Sequence, residues 1–137
     1  FGLSGVNKES MGQIALNTME SEHGKLSDGA LRGDIARFEI DEAAFGLTLE
    51  RIVAESKAGR GTGAASSVLK YYGTELNKDR HELLMSIKGS AGLRWGDEEE
   101  TTLAKHWLRS KGNSIEGGTS EIQLSIIARR VLGLPAR

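Results

Sequence analysis

The sequence predicts an all-α fold, an antiparallel (up-down) four-helix bundle. Apolar residues recur at helical steps of three, four or seven over long stretches, and clusters of glycine separate those stretches. No useful length alternates apolar and polar residues with the period of two that marks a strand, and no Asn-Gly hairpin turn occurs. Because 137 residues is a usual length for one domain, we expect residues 1–137 to form a single domain.

Two helices are predicted in the first half of the chain. The first is short and lies near residues 8–20, where apolar residues fall roughly at helical spacing. The second is long, because Ser27 and Asp28 can cap its start and a glycine-rich segment follows Ala58. The apolar stripe of the long helix consists of Leu31, Ile35, Phe38, Phe45, Leu49 and Ile52.

Three further helices are predicted after the glycine-rich segment at 59–63. The first runs from about residue 64, with Thr62 as its N-cap, to the glycine turn at 89–92. Its apolar positions are Ala65, Val68, Leu69, Tyr72, Leu76, Leu83, Leu84 and Ile87. The next helix begins at the acidic run 97–100, which suits the positive end of a helix dipole. Its inward face is predicted to be Leu103, Ala104, Trp107 and Leu108.

The last helix carries a capping-box pattern. Ser120 is the predicted N-cap, Gln123 is the third helical residue, and Gly133 followed by Pro135 ends the helix. Its predicted apolar face consists of Ile122, Ile126, Ile127, Val131 and Leu132.

Composition excludes several classes of function. Eighteen basic and 19 acidic residues give a net charge of −1, so we expect neither a nucleic-acid partner nor attraction to an anionic membrane. The absence of cysteine excludes disulfides, thiolate metal sites and a cysteine nucleophile. His81 and Glu82 resemble the start of a zinc-binding helix, but Met85 stands where the second histidine is needed, so we expect no metal site. No apolar run approaches the ~20 residues of a membrane span.

The segment 115–122 is the best candidate for a binding site. Its two glycines, Gly117 and Gly118, allow a close approach of the backbone to a ligand, and a helix start follows immediately. Thr119 adds a hydroxyl group, while Glu116 and Glu121 add hydrogen-bond acceptors. Two interpretations remain open from these residues alone: a contact with an anion or cofactor, and a plain transition from loop to helix.

The end of the chain resembles the acyl-CoA dehydrogenase family. The resemblance is carried by Arg109–Gln123, followed by Ile126–Arg130 and Leu132–Pro135. It implies an enzyme built of an N-terminal helical domain, a middle β domain and a C-terminal four-helix bundle. This chain would be the last of the three, without the beginning of its first helix and without the other two domains.

Membership in this family implies α,β-dehydrogenation of an acyl-CoA thioester. A carboxylate removes the α-proton, the β-hydride passes to FAD, and electrons then pass to an electron-transfer flavoprotein. The bundle forms the core of a dimer or tetramer, which is either a homo-oligomer or a hetero-oligomer. The resemblance also implies a cytoplasmic location. We expect the isolated chain to be inactive, because most of the substrate cavity belongs to the other domains.

The resemblance assigns roles to individual residues. Gly118 and Thr119 match positions near the flavin, and Glu121 matches a position that meets the phosphate-ribose region of the cofactor. Gly89 and Gly92 match a turn that approaches the FAD of a neighbouring subunit.

The candidate catalytic base is Glu116, in a shifted loop register, because Gly117 stands where many family members have their glutamate. Other members place the base at the start of the first bundle helix, upstream of this chain. Two more departures, Ser86 in place of a glutamine and Glu20 in place of an arginine, suggest an alternative. In that alternative the protein is a non-catalytic structural subunit, or the pseudo-enzyme half of a hetero-oligomer. A freestanding helical interaction module is the third interpretation.

Overall fold

Helices make up most of the chain in the computed structural model, which describes residues 9–61, 63, 65–96 and 102–135. Five α-helices lie in this described part, together with one short hairpin, a 3₁₀ turn and a π-helical turn. In chain order they are α1 (Met11–Thr18), β1 (Ser21–Glu22), β2 (Lys25–Leu26), α2 (Gly29–Lys57), α3 (Ala65–Lys88), the 3₁₀ turn (Gly89–Leu93), α4 (Leu103–Asn113), α5 (Ser120–Ile126) and the π-helical turn (Ile127–Val131).

A short hairpin lies between α1 and α2, in a segment where the sequence pattern predicts neither a strand nor an Asn-Gly turn. Ser21 pairs with Leu26 and Glu22 with Lys25, in antiparallel register. The turn uses His23 and Gly24, both with positive φ (51° and 74°), as two-residue hairpin turns require. Strands of two residues are too short to show alternation, and His-Gly is not among the usual turn pairs, which is why the sequence pattern missed this hairpin.

Local capping residues set the start of the first two helices. The Ser10 hydroxyl accepts the Gln13 N–H at 3.1 Å, and the Asp28 carboxylate accepts the Leu31 N–H at 2.9 Å. The predicted limits of α2 are therefore confirmed, including its end before Ala58. The main core lies between α1, the hairpin, the first third of α2 and the end of α3. It consists of Met11, Ala15, Leu26, Leu31, Ile35, Phe38 and Ile87.

Helix α3 is the centre of the fold and runs antiparallel to both α2 and α4. On the α2 side, the Arg80 guanidinium lies 5.3 Å from the Phe38 ring, while Phe45, further along α2, stacks on Tyr72 at 6.1 Å. On the α4 side, Asn77 donates to the Asn113 side chain, near the end of α4. The prediction of an all-α antiparallel bundle is confirmed.

The buried face of α3 differs from the predicted apolar stripe. Among the predicted positions only Ile87 is buried, whereas Ser67, Gly73 and Thr74 are buried in the first half of the helix. This polar face positions the candidate site.

The predicted inward face of α4 is covered except at Leu108, whereas the predicted apolar face of α5 is exposed at Ile122, Val131 and Leu132. Ala104 is buried in α4, but Leu108 is 51% exposed. The exposed apolar residues at the end of the chain are Ile122, Leu124, Val131, Leu132 and Leu134.

Two predicted helix starts cannot be compared with the structure. The predicted N-cap Thr62 and the acidic run 97–100 lie outside the described residues. Within the described residues, no helix combines the length and apolar character needed to cross a membrane.

Candidate functional site

The candidate site is the turn that joins α4 to α5. Thr119 caps α5: its Oγ1 accepts the Ile122 N–H at 3.4 Å, with the extended backbone that an N-cap adopts. This corrects the prediction of Ser120 as N-cap, since Ser120 is already helical and its hydroxyl donates to the Glu75 carboxylate at 3.2 Å. The capping box is therefore absent, and the Gln123 side chain is available for another contact.

Two side chains hold the carbonyl groups of this turn. The Lys70 ammonium, from α3, donates to the Asn113 carbonyl at 3.2 Å and to the Gly118 carbonyl at 2.7 Å. Gln123 donates its Nε2–H to the Gly117 carbonyl at 3.0 Å. Three carbonyl groups between α4 and α5 are thus bound by side chains on the neighbouring helices.

Both glycines of the turn have left-handed backbone conformations. Gly117 has φ 67° and Gly118 has φ 102°, values that other residues rarely adopt. A Cβ on Gly118 would lie 2.7 Å from Gln123 Nε2, which is too close unless the Gln123 amide moves from its position. The N–H groups of Gly117, Gly118 and Thr119 donate no hydrogen bond to any other part of the described chain. These three donors are therefore available to a ligand.

Glu116, the candidate catalytic base, lies one residue before the glycine pair. Its carboxylate accepts from Arg109 Nη2 at 2.8 Å and from Asn113 Nδ2 at 2.6 Å, and its side chain is 53% exposed. The hydrogen bonds from Arg109 and Asn113 lower the pKa of Glu116 below its ordinary value. The carboxylate is therefore held ionised, and its basicity is reduced.

Glu121 lies in the first turn of α5. A hydrogen bond from its own backbone N–H and one from the Thr119 hydroxyl lower the pKa of this exposed carboxylate. An ionised acid at this position is also favoured by the helix dipole.

A cavity of about 590 Å³ opens beside the turn, between α2, α3 and the end of α4. Its walls combine apolar groups with an ion pair between Glu42 and Arg80. The residues that line it are Glu42, Phe45, Lys70, Gly73, Thr74, Leu76, Asn77, Arg80, Asn113, Glu116 and Gly117. Glu116 and the glycine turn thus border a space large enough for part of a ligand.

The other predicted cofactor residues, Gly89 and Gly92, lie at the opposite end of α3. Gly89 lies 19 positions after Lys70, and at about 1.5 Å per helical residue the two lie about 30 Å apart along the helix. Gly89 is exposed and has φ 55°, while Gly92 is buried where a Cβ would lie 3.2 Å from Met85 Sδ. The structure therefore groups Glu116, Gly118, Thr119 and Glu121 and places Gly89 and Gly92 elsewhere.

Sequence reasoning missed Lys70 and Gln123, which hold the turn. Gln123 had been assigned to a capping box. A signal for Lys70 does exist, because Ser67, Lys70, Thr74 and Asn77 follow one another at helical spacing. A polar stripe between apolar positions of the same helix indicates a face that forms hydrogen bonds with the backbone of a neighbouring segment.

Comparisons with known proteins agree with the observed fold. Residues 10–132 match the family model for the C-terminal domain of acyl-CoA dehydrogenases. The chain is 30% identical over 119 residues to the acyl-CoA dehydrogenase IpdE1 of Mycolicibacterium smegmatis, covering 83% of this chain and 30% of that protein. It is 35% identical over 94 residues to the acyl-CoA dehydrogenase FadE34 of Mycobacterium tuberculosis, covering 68% of this chain and 12% of that protein.

A solved structure shows the same fold. In the ChsE4-ChsE5 complex from Mycobacterium tuberculosis, one chain superposes with a TM-score of 0.70 and 27% sequence identity. The superposition covers 93% of this chain and 34% of that chain. The present chain thus spans about a third or less of the length of the proteins it matches. From this fold and these matches we conclude that the chain belongs to the acyl-CoA dehydrogenase family and corresponds to its C-terminal domain.

Proposed function

We propose that this chain is the C-terminal domain of an FAD-dependent acyl-CoA dehydrogenase, an oxidoreductase that forms an α,β double bond in an acyl-CoA thioester. Two findings support this proposal. Residues 10–132 match the family model, and the chain spans only about a third of the length of its relatives. In this proposal residues 1–137 form one domain, α1 is the end of a longer helix, and the two other domains lie upstream. The isolated chain is then inactive.

The turn before α5 fits a contact with FAD, and this geometry carries the proposal. The N–H groups of Gly118 and Thr119 are available donors for oxygen atoms of the cofactor, and Gly118 presents no Cβ to a ligand. The Thr119 hydroxyl and the Glu121 carboxylate supply further polar groups beside these donors. When bound, FAD would accept the hydride from the β-carbon of the thioester.

Gly89 and Gly92 fit a second contact, toward the cofactor of a neighbouring subunit. These two glycines lie about 30 Å along α3 from the turn at Gly118. This distance supports the assignment, because two groups of cofactor-binding residues so far apart suit contacts with two different FAD molecules. The exposed backbone at Gly89 leaves that turn accessible to a partner.

The catalytic base has two candidates in this proposal. Glu116 is the candidate within the chain, since it borders the cavity and is held ionised, as a proton acceptor must be. The alternative is a carboxylate upstream of residue 1. The ion pair with Arg109 lowers the basicity of Glu116 and thereby favours the upstream candidate.

The experiment uses the complete protein that contains this domain. Purified protein should show flavin absorbance, and anaerobic addition of an acyl-CoA thioester should bleach it. Glu116→Gln abolishes bleaching if Glu116 is the base and leaves it intact if the base lies upstream. A protein that contains no flavin and responds to no thioester in a panel of chain lengths would refute the proposal.

Assembly through the bundle is part of the proposal. Exposed apolar residues such as Leu132, at 64%, and Ile40, at 68%, leave surfaces for other domains or subunits to cover. The electron acceptor would be an electron-transfer flavoprotein, and the location would be cytoplasmic. Reduction of purified electron-transfer flavoprotein and subcellular fractionation test these two points.

The second candidate function is a non-catalytic subunit of a hetero-oligomeric acyl-CoA dehydrogenase. One observation favours it: the matched solved structure is a complex of two chains with different names. Gly117, where a family glutamate is expected, supports it as well. Co-purification decides between the candidates, because a homo-oligomer with one FAD per subunit refutes the non-catalytic role.

A further inference from the structure

Lys70 and Gln123 fix the orientation of two successive peptide groups. The peptide bonds of the turn are trans, and in a trans peptide the carbonyl of one residue and the N–H of the next point in opposite directions. Gln123 holds the Gly117 carbonyl at 3.0 Å, so the Gly118 N–H points away from the Gln123 side chain. Lys70 holds the Gly118 carbonyl at 2.7 Å, so the Thr119 N–H points away from α3.

The ammonium group of Lys70 has a second fixed partner. It also donates to the Asn113 carbonyl at 3.2 Å, so one charged group joins the end of α4 to the start of α5. Asn77, two turns along α3, donates to the Asn113 side chain at 2.9 Å and holds the same residue. The turn is thus bound to α3 at both of its ends.

The charge of Lys70 is not neutralised by an ion pair. Among the described residues, no carboxylate lies within 4.0 Å of its ammonium group. The side chain is half-buried, and its Cε would lie 3.9 Å from a Cβ on Gly117. The Lys70 ammonium therefore directs its charge to carbonyl oxygens of the turn, through its two hydrogen bonds, rather than to a paired carboxylate.

We infer that Lys70 is a positioning residue for the proposed flavin contact: it orients the Gly117–Gly118 turn so that the Gly118 and Thr119 N–H groups meet an oxygen acceptor of the cofactor. Gln123 has the same role for the peptide group between Gly117 and Gly118. This inference rests on the proposed function. Without Lys70 the Gly118 carbonyl loses its donor, and the peptide group between Gly118 and Thr119 is free to rotate toward the opposite orientation.

The test compares Lys70→Met, Lys70→Arg and Gln123→Leu in the complete protein, with Lys57→Met as the matched control. Lys57 lies in the last turn of α2, where it is exposed and takes no part in the site. Hydrogen exchange, read by mass spectrometry, reports on the hydrogen-bonded amides of Ile115, Glu116 and Ser120 around the turn, and flavin fluorescence reports on cofactor affinity.

Lys70→Met should speed exchange of the Ile115, Glu116 and Ser120 amides by about tenfold and leave exchange in the core of α2 unchanged. The affinity for flavin should fall by about tenfold, the usual effect of losing a hydrogen bond to a charged group. Lys70→Arg retains charge and several donors and should restore most of the affinity, while Gln123→Leu should reproduce the local change in exchange.

Two results would overturn the inference. One is Lys70→Met behaving like Lys57→Met in both measurements; the other is a uniform rise in exchange along the chain, which indicates a purely structural role. If Lys70→Met fails to fold, Gln123→Leu decides by the same criteria. A wild-type protein that binds no flavin refutes the proposed function, and local exchange then still decides whether Lys70 holds the turn.

Discussion

Gln123 donates its side-chain N–H to the Gly117 carbonyl at 3.0 Å, and the same Nε2 atom occupies the space that a Cβ on Gly118 would need. Gln123 can therefore make this hydrogen bond only because residue 118 is a glycine and has no Cβ. The positive φ of Gly118 adds a second reason for glycine at this position, since left-handed backbone is costly for other residues.

Gly118→Ala should lower the free energy of unfolding by about 2–3 kcal/mol, from backbone strain together with loss of the Gln123 hydrogen bond. The matched control is Gly59→Ala, where φ is 77° but nothing lies within 4 Å of the added Cβ. That variant should lose only the strain of about 1–2 kcal/mol. Urea unfolding of the two variants checks this prediction, and equal losses would contradict the close contact with Gln123.

Thr119→Ala should cost about 1 kcal/mol of stability, because α5 loses the side chain that accepts the Ile122 N–H. Thr119→Ser keeps an acceptor and should recover most of the loss. Ser120→Ala removes only an interaction with the Glu75 carboxylate and should cost less. Thermal unfolding measures all three variants. A larger loss for Ser120→Ala than for Thr119→Ala would restore Ser120 as the N-cap.

Glu116→Gln should change the pH dependence of stability. Arg109 and Asn113 lower the pKa of Glu116 in the folded state, so the ionised form stabilises the fold above its ordinary value of 4.5. This contribution is lost as the pH falls through the lowered pKa. The variant should therefore be less stable than the wild type at pH 7, and the difference should narrow as the pH falls below 4.5.

Urea midpoints measured across this pH range test the prediction. Glu50→Gln, an exposed change on α2, serves as the control. A difference between wild type and Glu116→Gln that does not depend on pH would contradict the ion pair.

The helix pattern was predictable because short-range chemistry determines it. Asp28 caps α2 with its own side chain, and the apolar spacing from Leu31 to Ile52 lies within a single helix. The hairpin at His23 and Gly24 was not predictable, since two-residue strands carry no periodic pattern.

The candidate site was predictable only in part. The glycine pair and Thr119 are adjacent in sequence, so their position before α5 could be read directly from the chain. Lys70 lies 48 residues from Gly118, and its contact depends on how closely α3 packs against the turn. The buried residues in this half of α3 are Ser67, Gly73 and Thr74, and a search for apolar stripes does not detect a face of small and polar residues.

Asp79→Asn should stabilise the protein at neutral pH. Asp79 is an exposed residue, but partial loss of solvent around its carboxylate, followed by the negative charges of Glu75, Asp41 and Glu82, raises its pKa. The folded state therefore bears a cost for ionised Asp79 at every pH above the raised pKa, and none well below the ordinary value of 3.8. The gain for Asp79→Asn should be below about 1 kcal/mol at pH 7, because the site is solvated.

The gain should disappear as the pH falls toward about 3, where wild-type Asp79 is protonated in both states. Asp34→Asn is the matched control, because Asp34 and Asp79 line one groove between α2 and α3 but Asp34 pairs with Arg37 at 3.1 Å. Removing that carboxylate should give no stabilisation. Thermal melts at pH 7 and pH 3 measure both variants, and a loss of stability for Asp79→Asn at pH 7 would contradict the repulsion among these acids.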